Sequence, residues 1–187
     1  MESIDLLKIA AAVLALAIAV IGHEIMHGYV AYAYGESGFL FGWAKPVPIN
    51  TATVIKNAGY NGAMQVDLAG IVYNFTLGVF ASIAIIAMDK PTTADDILYI
   101  FAYIFVFQLL IINVVLGVFN LLPIPQFDGA HFVSHLALKY KINSVAEFFY
   151  KNEKYGIIVV FIILMTPLKD YVLMLPVQTI LGLLLTA

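Results

Sequence analysis

The chain has 187 residues, of which 63% are apolar and 11% charged, and a mean hydropathy of +0.97. Soluble domains run at roughly 45–50% apolar and about 25% charged, so a water-soluble globule is excluded and an integral membrane protein is expected. Nine lysines, no arginine and twelve acids give a net charge of −3, which argues against nucleic acid as a partner. The absence of cysteine excludes disulfides, thiolate metal sites and a cysteine nucleophile.

The length accommodates one domain of about four to six spans at roughly 20 residues each. Residues 4–34 form the first helical stretch, centred on the alanine-rich run 9–21. The acidic start (Glu2, Asp5) and the lack of a small-residue cleavage site make it a retained span instead of a signal peptide. Gly35 ends it. Residues 35–61 read as non-helical, because Pro46 and Pro48 push their neighbours toward extended backbone. A short hairpin or re-entrant loop is expected there. A second span covers about 63–88 and a third about 97–120, joined by an acidic loop at 89–96. Pro123 and Pro125 break the third span, and a short helix restarts near Gly129 and ends by Tyr140. Residues 139–154, with four lysines and two glutamates, read as an exposed connector. The apolar stretches 155–167 and 171–186 flank Lys169 and Asp170 and suggest a hairpin of two short spans.

The fold expected is therefore all-α: a polytopic helix bundle of about five spans with a short extended or re-entrant segment after the first. One integral-membrane domain occupies 1–187, with a catalytic core at about 4–140 and a C-terminal apolar hairpin at about 155–186. Six lysines (45, 56, 139, 141, 151, 154) fall on one side and three (8, 90, 169) on the other. The positive-inside rule then places the N-terminus outside and the lysine-rich loops in the cytosol.

The informative motif is His23-Glu24-Ile25-Met26-His27, an HExxH sequence late in the first apolar helix. His23 and His27 lie one turn apart on one face, so both imidazoles can reach one metal ion. Glu24, about 100° around the helix, can meet a water at that metal. A carboxylate in a span costs at least about 2.5–3.5 kcal/mol, which marks such residues as functional. Catalytic zinc needs a third protein ligand and an open position. Glu36, Asp67 and Asp128 are the candidates. Glu36 is close in sequence, and Asp67 also reads as an interfacial anchor. Asp128 follows two prolines that can turn it into a cavity, although it could instead cap the helix starting near Gly129.

These residues resemble a known family. HEIMHGYVAYAYG, GWAKPVPIN, LAGIVYN and FNLLPIPQFDG occur in the order expected of the site-2 protease family of intramembrane zinc metalloproteases. The resemblance runs from about Ile18 to Leu136. It implies one zinc ion per chain held by His23, His27 and Asp128, with Glu24 as catalytic acid/base and Asn120 at substrate or oxyanion. It also implies hydrolysis of transmembrane protein substrates from an active site toward the cytosolic side of the bilayer. No PDZ or CBS module is recognisable. GWAKPVPIN resembles the family segment that offers a strand edge to substrate.

Other polar positions have structural readings. Gly70, Asn74 and Gly78 form a small-residue stripe for close helix packing, with Asn74 as an interhelical hydrogen-bonder or, beside the metal, a second candidate for substrate or oxyanion contact. His131 and His135 read as interfacial histidines, and Gln108 and Asn113 as packing groups. Two further function classes are compatible with the motif: a divalent-metal transporter and a catalytically silent scaffold that binds membrane proteins.

Overall fold

The computed structural model describes residues 3–37, 49–92 and 96–186. They are almost all helical, with no strand among them. In chain order the helices are α1 (Ser3–Ala33), α2 (Thr51–Ala87), α3 (Ile97–Leu121), α4 (Asp128–Lys139), α5 (Asn143–Asn152), α6 (Gly156–Met165) and α7 (Leu175–Thr186). The stretch expected to be extended or re-entrant falls largely on residues 38–48, outside the described residues.

α1, α2 and α3 are long and apolar enough to cross a bilayer. Two stripes of i, i+4 residues bring the first two together. On α1 the buried stripe is Ala11, Ala15, Ala19, His23, His27 and Ala31, with Gly28 buried beside it. On α2 they are Gly62, Val66, Gly70, Asn74 and Gly78, followed by Ser82. Small side chains on both faces let the backbones approach, the device that stands in for the hydrophobic effect between helices in lipid. α3 closes the triangle with Leu110, Asn113, Val114, Gly117 and Val118. Large apolar side chains such as Val13, Phe80, Ile83 and Leu98 point outward, as a lipid-facing surface requires.

α2 begins about twelve residues earlier than the sequence reading places it. Asn50 caps it, its side-chain oxygen accepting from Thr53 N–H at 3.3 Å. Residues 51–58 are helical, and Gly59 (φ 66°) breaks the helix before the membrane-crossing part. The positive φ there is one that glycine adopts without strain.

The C-terminal part also differs from expectation. Residues 143–165 and 170–186 form two arms bent by 93°, not an antiparallel hairpin, and the pair makes a fourth candidate span only if it is one broken crossing. α6 and α7, at 10 and 12 residues, are about 15–18 Å long and too short to cross alone. Pro167 and the charges of Lys169 and Asp170 fall at the bend. A π-helical turn at Asp170–Met174 precedes Pro176, which lacks the N–H a regular helix would use. The second arm packs back on the bundle: Leu173 and Val177 join Ala81, Ile85, Leu110, Val114 and Val118 in one apolar cluster. The hydroxyl of Ser82 donates to the Leu184 carbonyl.

Candidate metal centre

The stripe positions on α1 and α2 carry the polar residues at one level of the bundle. His23 and His27 are 6% and 7% exposed, and Asn74 on the facing helix is fully buried. His27 Nδ1 lies 2.6 Å from the Val66 carbonyl oxygen. A carbonyl only accepts, so Nδ1 carries the proton and Nε2 presents a lone pair. The amide of Asn74 is fixed by its own donors: Nδ2 gives to the Ala19 carbonyl at 3.3 Å and to Asn113 Oδ1 at 2.9 Å. Its oxygen therefore faces His23 Nδ1 at 2.6 Å and leaves His23 Nε2 as a second lone pair.

These two nitrogens stand 3.0 Å apart, and Asp128 Oδ2 lies 3.0 Å from His23 Nε2 and 3.3 Å from His27 Nε2. Asp128 Oδ2 is buried without a hydrogen-bond partner. Three electron-pair donors converging without a shared proton repel one another unless a cation sits among them. The set suits zinc. Ligands about 2.0–2.1 Å from a tetrahedral zinc lie roughly 3.3 Å from each other, and two histidines with a carboxylate leave one position open. Among the described residues no other group of three histidine or acidic side chains is close enough to hold a metal.

The backbone makes room for the cluster. A Cβ at Gly70 would lie 2.5 Å from the Nε2 atoms of both His23 and His27. On the other wall, a Cβ at Gly129 would collide with the Leu121 and Leu122 carbonyls, so this glycine lets the start of α4 sit against the end of α3. Asp128 makes no cap: Phe127 occupies that position without a side-chain bond.

Glu24 is exposed and outside the three-atom cluster, adjacent to His23 in the chain. Asn120 is half-buried, and its amide donates to the Leu116 carbonyl of its own helix at 3.1 Å. Of the other carboxylates weighed as ligands, Glu36 is buried but apart from the cluster. Asp67 is bound to His135, Oδ2 to Nδ1 at 2.6 Å. The sequence reading gave Asn113 a packing role only, without its partner. Fully buried, it connects α3 to Asn74 and donates to the Leu109 carbonyl at 2.8 Å. The signal available was an amide in the middle of an otherwise apolar span, a placement that requires a partner.

Fold and site together describe an integral membrane protein with a buried His-His-Asp cluster that could hold a metal ion and a glutamate next to it in the chain. Comparison with known proteins agrees. The model of peptidase family M50 matches residues 92–166, which contain Asn120 and Asp128, while the HExxH pair lies upstream of that stretch. The "Putative zinc metalloprotease YwhC" of Bacillus subtilis is 29% identical over 185 residues, covering 81% of this chain and 78% of that protein. The "Zinc metalloprotease MJ0392" of Methanocaldococcus jannaschii is 27% identical over 127 residues, covering 66% of this chain but 33% of its own length. No solved structure matches. Over residues 92–166 the chain is thus similar to peptidase family M50, the site-2 protease family that its motifs resemble.

Proposed function

We propose that this zinc metalloprotease hydrolyses peptide bonds of transmembrane protein substrates within or beside the bilayer, as a single catalytic domain holding one zinc ion. The observation that carries the reading is the convergence of His23 Nε2, His27 Nε2 and Asp128 Oδ2 at 3.0–3.3 Å inside a membrane bundle.

His23, His27 and Asp128 would hold the metal. Zinc supplies Lewis acidity at the scissile carbonyl and makes water a competent nucleophile near neutral pH. Glu24 takes one proton from the attacking water as its oxygen bonds to the carbonyl carbon. When the C–N bond breaks, Glu24 returns that proton to the departing amine. Asn120 would meet the oxyanion with its amide released from the Leu116 carbonyl, so this contact would form with substrate bound. Asn74, with no exposed surface, orients the His23 ring in this scheme and does not touch substrate.

The lysine distribution supports an N-terminus outside and a centre toward the cytosolic side. The chain has no cysteine, so single cysteines at Lys56, Lys151 and Lys90 report on this directly. All three sites are exposed. The first two should label from the cytosol and the third from outside; the reverse pattern overturns the orientation. The expected five spans would need residues 143–165 and 170–186 each to cross, which α6 or α7 alone is too short to do.

Purified wild type with zinc should cleave transmembrane peptides, and Glu24→Gln should bind zinc but not cleave. Zinc flux into liposomes without cleavage would favour a transporter, and neither activity a binding scaffold. A helical substrate hides its carbonyls in i→i−4 bonds, so it must unwind before attack. A proline in a helix interior weakens it by about 3 kcal/mol or more. Replacing substrate Pro or Gly by Leu should slow cleavage about tenfold, which corresponds to about 1.4 kcal/mol in the barrier. Equal rates at matched access would remove unwinding as the limiting event.

A further inference from the structure

The first two ligands each have a visible tie to α2: His27 through the Val66 carbonyl, His23 through Asn74. Asp128 comes from α4, a helix of 12 residues whose buried members are Gly129, Ala130 and Ala137. Its larger apolar side chains, Phe132, Val133, Leu136 and Leu138, are only partly buried, so apolar packing alone does not fix where the helix stands.

A second contact pins the helix. His135 Nδ1 donates to Asp67 Oδ2 at 2.6 Å, with the two side chains 13% and 11% exposed. Asp67 follows Val66 directly in α2. His135 stands seven residues, two turns, beyond Asp128 on the same face of α4, about 10.5 Å along its axis. Neither residue belongs to the metal cluster. α2 then carries one tie for every ligand, at Val66, Asp67 and Asn74, around the Gly70 opening.

We propose that Asp67 and His135 are a positioning pair that holds α4 against α2 and so sets where Asp128 stands. This rests on the reading of His23, His27 and Asp128 as the metal ligands. The pair acts through a rigid helix, so its loss shifts the carboxylate relative to the two imidazoles without removing any ligand.

The test uses the full chain in detergent or nanodiscs, with zinc affinity from chelator competition and the visible spectrum of the cobalt(II) form. Asp67→Ala and His135→Ala should each weaken zinc binding about tenfold or more, the range seen when partners behind a metal ligand are removed. Both should lower the intensity of the tetrahedral cobalt bands. The double variant should bind as either single variant does, because the two residues act as one contact. His135→Asn, which keeps a donor for Asp67, should recover part of the affinity and the cobalt spectrum, and it carries the test if the alanine forms do not fold. A purely structural pair would lower the thermal midpoint of the metal-free protein and leave both metal readouts at wild-type values. That result overturns the proposal. His23→Ala in parallel separates the two levels: loss of zinc there with normal binding in Asp67→Ala rejects the pair alone. Wild-type binding in both His23→Ala and Asp128→Ala rejects the centre itself.

Discussion

The two halves of the proposed metal site are built by different means. His23 and His27 belong to a 31-residue helix locked by alanines and glycines along its whole buried stripe. Asp128 opens a 12-residue helix that is followed by α5, with no buried residue, and α6, whose apolar side chains are exposed. The histidine pair is thus part of the bundle's own packing, whereas the carboxylate is delivered to it by a shorter, more lightly held element. One half is a fixed wall; the other can be adjusted by what holds α4.

Removing ligands gives the largest effect and tests both halves equally. His23→Ala, His27→Ala and Asp128→Ala should each abolish stoichiometric zinc in the purified protein, as measured by elemental analysis after dialysis. Full zinc in Asp128→Ala would return Glu36 or Asp67 to contention and leave α4 without a role in the centre.

Gly70→Ala probes the fixed wall. Its Cβ would sit 2.5 Å from both ring nitrogens, in the space the metal needs, and neither helix can retreat without opening the stripe. Zinc affinity should fall about a hundredfold, at the upper end of the range for changes next to metal ligands. Gly78→Ala two turns on is the control. Its Cβ would meet only Val114 Cγ2 at 3.3 Å, a side chain that can shift by a few tenths of an ångström. Similar affinities in the two variants would show that the wall is not rigid.

Asn113→Ala comes next. It removes the acceptor of Asn74 Nδ2 in a dry helix interface. Interhelical hydrogen bonds in membranes contribute about 0.6 kcal/mol on average and up to about 1.7. The thermal midpoint should drop by a few degrees and zinc affinity by severalfold, since Asn74 keeps its bond to the Ala19 carbonyl. A loss as large as that of Gly70→Ala would make Asn113 a principal determinant of the His23 orientation.

How much of this was readable beforehand follows from the range of the interactions. HExxH needs only the helical repeat to pair His23 with His27, and the prolines at 123 and 125 announce the break that presents Asp128. The three long helices follow from hydropathy. The partners of the ring Nδ1 atoms do not, because Val66 and Asn74 lie 39 and 51 residues away and are selected by how α1 and α2 face each other. Asp67 and His135 were read separately as interfacial groups, and only the packing of α4 on α2 joins them. The early start of α2 was signalled by Asn50 and Gly59 but masked by the prolines upstream. The bend at the C-terminus depends on how two short apolar arms divide between lipid and the α2–α3 surface, which composition does not decide.

The smallest effect belongs to the outermost element. Glu147 and Lys151 on α5 form an i, i+4 pair at 2.8 Å, with side chains 62% and 70% exposed. Lys151 holds the Glu147 carboxyl below its ordinary range through a hydrogen bond and its charge, yet solvent and salt screen such pairs almost completely. Between α5 and α4 lies a cavity of about 340 Å³ lined by Ala130, His131 and Leu138 on one side and Ala146, Phe149 and Tyr150 on the other. α5 therefore meets α4 around this cavity, and an exposed ion pair on its outer face has little purchase on α4. Glu147→Gln should leave zinc affinity and thermal midpoint unchanged at both low and high ionic strength. A fall in zinc affinity with intact stability would mean that α5 transmits force through α4 to Asp128, and the lightly held half of the site would then extend to the membrane surface.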